Sequence, residues 1–164
     1  TVTGLYIGQA LWQNYAVDLP LDTALNVIDG VEKVTWNNGR GINDTVEIKV
    51  ILGNTANIKK TYEEITEKIE EVLKDEAYEL AVKDNRTSEL EQAYHDVHYY
   101  IQKAVVDGDF PLLSEKVDEK AAAAGASAEV YVDERNIYLQ MSKDGSSLYS
   151  ITARNSDRIG GDLR

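Results

Sequence analysis

Both histidines of the chain fall in one short stretch, "YHDVHYY" at residues 94–100, and Glu91 precedes the first by one helical turn. On an α-helix the i, i+4, i+7 spacing of Glu91, His95 and His98 gathers a carboxylate and two imidazoles into one sector. A divalent ion such as zinc takes these ligand types, and a histidine beside a carboxylate is also the usual means of moving a proton. The spacing matches neither the His-Glu-x-x-His helix of metalloproteases nor the Glu-x-x-His pair of di-iron bundles. No fourth ligand and no paired nucleophile accompany the three residues. A glutamate four residues before a histidine is ordinary helix-surface electrostatics. The expectation is therefore surface or structural histidines and no cofactor, with a zinc-type site at Glu91, His95 and His98 as the metal alternative.

Other reactive constellations are weaker. The sequence holds no Gly-x-Ser-x-Gly elbow, no phosphate loop and no dinucleotide fingerprint. "GRG" at 39–41 lacks the lysine of a phosphate loop and reads as a connection between strands. "DERN" at 133–136 reads as a turn, and the pairs Glu63–Glu64 and Glu70–Glu71 as solvated charge on a helix. The balance leans away from an enzyme.

Tyrosine is the more unusual feature, with ten in 164 residues. Tyr99 and Tyr100 cannot both share the inward direction of Tyr94, Val97 and Ile101 on one helix. Tyr131, Tyr138 and Tyr149 lie in alternating segments, where Tyr138 must face away from Ile137, Leu139 and Met141. Tyrosine suits interfaces because its ring buries while its hydroxyl stays paired. Tyr99, Tyr100, Tyr131, Tyr138 and Tyr149 are the candidate interface residues, the competing expectation being a second internal layer under a helix.

The elements that must position these residues follow from periodicity. Leu21, Ala24, Leu25 and Ile28 share a helical face after Pro20, and Gly30 supplies a stop. "VEKVTWN" and "TVEIKVIL" read as strands on either side of the turn-rich 37–44. Residues 55–76 carry Ile58, Tyr62, Ile65, Ile69, Val72 and Leu73 at helical spacing, and 87–107 repeat the pattern with Leu90, Tyr94, Val97 and Ile101. Between them "YELAVK" at 78–83 fits a brief strand or a continued helix. A third helix runs from Pro111 towards Gly125, and "AEVYVDE", "NIYLQMS" and "SLYSITA" alternate as three antiparallel strands with "KDGSS" as a tight turn. The predicted fold is α+β: helices packed on antiparallel sheet, with a C-terminal three-stranded meander. It divides into an N-terminal helix (1–17), a mixed helix–strand half (18–84), a helical pair with the meander (85–154) and a flexible tail (155–164).

Composition narrows the partners. A net charge of −12, from 29 acidic and 17 basic residues, disfavours nucleic acid and anionic lipid. With no cysteine, disulfides and thiolate chemistry are excluded. Residues 1–17 are aromatic and almost uncharged, which predicts an amphipathic helix or the membrane-proximal end of an anchor outside this chain. The threonine at position 1 fits a processed or excised piece. Together these features predict a non-enzymatic interaction or assembly module whose partner is a protein or a second copy. Its expected setting is extracytoplasmic, as part of a membrane-anchored bacterial envelope protein. The alternatives are a metal-dependent enzyme or ligand-binding domain using the face of helix 87–107, and a small-ligand sensor.

Overall fold

The structure is a computed structural model that describes residues 20–38 and 45–154. The expected N-terminal helix at 1–17, the turn at 39–44 and the tail at 155–164 lie outside the described residues. The fold is α+β, with helices packed against sheets and an antiparallel three-stranded sheet at the C-terminal end. Contacts divide the described residues into two compact units, one reaching Thr55 and resuming over Lys60–Lys83, the other comprising Ala56–Lys59 and residues 84–154.

The first unit begins with helix α1 over residues 20–26, where Leu21 and Leu25 are fully buried. Strand β1 (Val31–Asn38) pairs antiparallel with β2 (Val46–Leu52). Helix α2 (Ile58–Leu73) then crosses over to β3 (Tyr78–Lys83), which pairs parallel with β2. "YELAVK" is thus a strand, and this sheet is mixed rather than purely antiparallel. A helical crossover is what allows neighbouring strands to run parallel, and it lays α2 over a face of the sheet. Val46, Ile48, Val50 and Leu52 alternate inward along the central strand, while Ile65, Ile69 and Leu73 form the buried stripe of α2. Thr55 and Thr61 are also buried, and their hydroxyls meet at 2.6 Å.

The second unit opens on a helical hairpin, α3 (Ser88–Asp107) and α4 (Phe110–Ala123). Thr87 caps α3 by accepting from the Leu90 amide, and Asp109 caps α4 by accepting from Leu112. Gly108 between them has φ 74°, the left-handed conformation that ends a helix. Strands β4 (Ser127–Val132), β5 (Asn136–Lys143) and β6 (Ser146–Ala153) form the meander in that spatial order. Asp144 and Gly145 both take positive φ in the β5–β6 turn, as a two-residue hairpin that follows strand twist requires. The core joins Leu90, Val97 and Ile101 of α3 and Leu113 and Val117 of α4 to Ile137, Leu139 and Met141 of β5.

The outer edge of β6 is closed by side chains rather than by another strand. Asp84 accepts the Tyr149 amide at 2.8 Å, Asn85 accepts the Ser147 amide at 2.8 Å, and an Arg86 Nη2 donates to the Tyr149 carbonyl at 3.3 Å. Asp84 in turn holds Arg86 through Nε and Nη2, each at 2.8 Å. Three consecutive residues thus satisfy alternate backbone groups of a strand edge that would otherwise invite pairing. The β4–β5 turn is fixed similarly: Asp133 accepts the Arg135 and Asn136 amides at 2.7 Å and the Tyr138 hydroxyl at 2.7 Å. The Asp133 carbonyl accepts from Arg154, whose guanidinium lies 4.9 Å from the centre of the Phe110 ring. Burial would raise the Asp133 carboxyl, but the Tyr138 hydroxyl and the two amides outweigh it and hold it below the usual carboxylate range. Tyr138→Phe removes one of these donors while keeping the ring, and is expected to cost about 1 kcal/mol. Urea unfolding followed by circular dichroism measures it, and no loss would mean that the turn does not depend on the hydroxyl.

Candidate functional site

The exposed face of α3 carries the residues of greatest interest. Leu90, Ala93, Val97, Ile101 and Ala104 form its buried stripe. On the opposite side of the helix, Ser88, Gln92, His95, Tyr99, Gln102 and Val106 all face solvent. Tyr99 is 70% exposed and Val106 is 79% exposed, although side chains of this kind normally gain by burial. The Tyr99 ring stands edge-on to His95 at 6.2 Å and to His98 at 5.9 Å between centroids. It is held among neighbours while its outward surface stays uncovered.

Glu91, His95 and His98, the residues of the metal alternative, line one shallow concavity of about 600 Å³ with Ser88, Gln92 and Tyr94. Their side chains are drawn to different neighbours. Glu91 lies 3.9 Å from the Arg86 guanidinium, and His95 stands against Tyr99. His98 is half-buried, with Nδ1 3.4 Å from the Tyr94 hydroxyl, which accepts from Ser150 at 3.3 Å. A zinc ion requires several donors converging at about 2.0–2.2 Å. Among the described residues, no group of three or more His, Asp or Glu could hold a metal ion. Sharing a helical sector brought Glu91, His95 and His98 to one concavity without forming a metal-holding group. Nor does the Ser150–Tyr94–His98 series make a nucleophile–base pair, because its links are long and tyrosine separates serine from imidazole.

The five candidate interface tyrosines divide by environment. Tyr138 is 1% exposed and Tyr149 is 5% exposed, both on the sheet face opposite Ile137, Leu139 and Met141. Tyr131 is Tyr138's cross-strand partner and donates to Glu129. Burial, then the bond to Glu129 and its charge, push the Tyr131 phenol up to about 12, so it stays a neutral donor. Tyr100 is half-buried against the core of the second unit, and Tyr99 points outward. Val106 is not among the candidate residues named from the sequence. Its 3–4 spacing from Tyr99 and Gln102 is the signal that places it on the outer stripe.

The first unit has a concavity of about 340 Å³ on the solvent face of its sheet, around Thr35, Glu47, Lys49, Glu79 and Ala81. The sensor alternative expected a cleft between helices and sheet; this depression lies on one sheet face and is walled by charges of both signs. Such a mixture is the ordinary pattern of a solvated face. No described helix is long and apolar enough to cross a membrane. Family models, curated proteins and solved structures were compared with the chain, and none matches it.

Proposed function

We propose that this chain is a non-enzymatic interaction or assembly module that docks through the outer stripe of α3. The observation that carries the proposal is the exposure of Tyr99 and Val106 on one line of a helix whose opposite face is fully committed to the core. Interfaces favour an aromatic anchor of this type, since a tyrosine ring contributes contact area for little conformational entropy. The acidic surface favours a protein partner over nucleic acid. We place the module in an extracytoplasmic, membrane-anchored setting, a reading supported by the aromatic, nearly uncharged residues 1–17.

Hydroxyl-radical footprinting tests this reading by comparing the purified chain at low concentration with the same protein in its native source. Tyr99 and Val106 are expected to lose most of their reactivity in the native setting, while residues on the solvent face of α2 keep theirs. Equal labelling of Tyr99 in both preparations would overturn the proposal.

A further inference from the structure

The outer stripe of α3 is complementary to itself in an antiparallel arrangement, and we infer that its partner is a second copy of this chain. This rests on the reading of α3 as a docking face and names its occupant. Gln92, His95, Tyr99, Gln102 and Val106 are spaced three and four apart, the repeat with which two helices interdigitate along a seam. Asp96 and Lys103 flank that seam on one side, and both are exposed.

In an antiparallel pair, laying Tyr99 on Gln102 of the second copy lays His95 on Val106. The same arrangement brings Asp96 beside Lys103 of the second copy, and symmetry repeats the contact. Sliding by one heptad in one direction stacks His95 on Tyr99 but sets Asp96 against Asp96. Sliding the other way stacks Gln102 on Val106 but sets Lys103 against Lys103. A parallel pair places Glu91 beside Asp96. Of these four arrangements, one attracts and the other three bring like charges together.

Lys103 already pairs with Asp107 and lies 3.9 Å from Asp109, while Asp96 accepts from Gln92 at 3.1 Å. All these contacts are at the surface, where an ion pair is worth little and its partners exchange readily. One helix is a small contact area, so the association is weak and sensitive to salt.

The test is sedimentation of the full chain from roughly ten micromolar to one millimolar, at low and high salt, since contacts this small associate weakly. Asp96→Lys and Lys103→Asp each turn two attractions into two repulsions, and each is expected to weaken self-association roughly tenfold or more. The double variant restores the opposite-charge pairs and should return to within about threefold of the original. Tyr99→Glu should abolish association in every background. Failure of the double variant to rescue, or association unaffected by Tyr99→Glu, would overturn the self-docking register. A monomer throughout the range would overturn self-docking as well. If Tyr99 is nonetheless protected in the native source, the docking-face reading survives and only the occupant is wrong.

Discussion

Asp84→Ala is expected to destabilise the second unit by about 3 kcal/mol. The Asp84 side chain is only 3% exposed, and its two oxygens accept from the Arg86 side chain, the Arg86 amide and the Tyr149 amide. Truncation leaves the Tyr149 amide without that acceptor and strips the guanidinium of its closest counter-charge. Removing one member of a buried pair costs about 3–5 kcal/mol; Arg86 keeps some access to water, which places this change at the lower end. The loss should be local as well as global, because Ser147 and Tyr149 lie on the edge that residues 84–86 close. Amide exchange at Tyr149 should accelerate more than exchange at the centre of α3. A loss below about 1 kcal/mol would show that the edge is closed without the carboxylate.

The same carboxylate sets an acid limb. Burial would raise Asp84, but the Arg86 guanidinium, the Tyr149 amide and the Arg86 amide outweigh burial and hold it below its ordinary value. A depressed carboxyl contributes fully above its unfolded value of about 3.9, and its contribution is lost as pH falls through the lower folded value. Unfolding at a series of pH values below about 4 should therefore show a slope that Asp84→Asn reduces. An unchanged slope would assign the acid limb to other carboxylates.

Periodic features were legible from the residues, while features built from single hydrogen bonds were not. The inward repeats of Ile65–Ile69 and Leu90–Val97–Ile101 identified α2 and α3, and the alternation around Tyr138 correctly turned it away from Ile137 and Leu139. The parallel pairing of β2 with β3 was hidden because "YELAVK" is too short for its alternation to specify a direction or a neighbour. The work of Asp84, Asn85 and Arg86 was hidden for another reason: their targets on β6 are over sixty residues away. At the candidate site, adjacent tyrosines required that at least one of Tyr99 and Tyr100 leave the core direction. Spacing could place Glu91, His95 and His98 in one sector, but Arg86, Tyr99 and Tyr94 determine what each side chain meets.

Gly30→Ala is the second large effect, expected to destabilise the first unit by about 3 kcal/mol, whereas Gly108→Ala should cost the second unit about 1 kcal/mol. Both glycines have positive φ, 89° at Gly30 and 74° at Gly108. Their surroundings differ. A Cβ at Gly30 would stand 3.0 Å from the Cβ of Thr55, whereas one at Gly108 would meet nothing within 4 Å. Thr55 has little freedom to retreat, because it is buried with its hydroxyl against Thr61, and the Gly30 carbonyl accepts the Gly53 amide at 2.9 Å. Asparagine separates the two costs, since it tolerates left-handed backbone but still carries a Cβ. Gly108→Asn should recover most of the alanine loss, and Gly30→Asn should recover little. Trp36 lies in β1 of the first unit, so its fluorescence in a Trp12→Phe background during urea unfolding isolates the Gly30 effect. Equal losses for the two alanine variants would mean that backbone conformation, not the close approach to Thr55, sets the cost at Gly30.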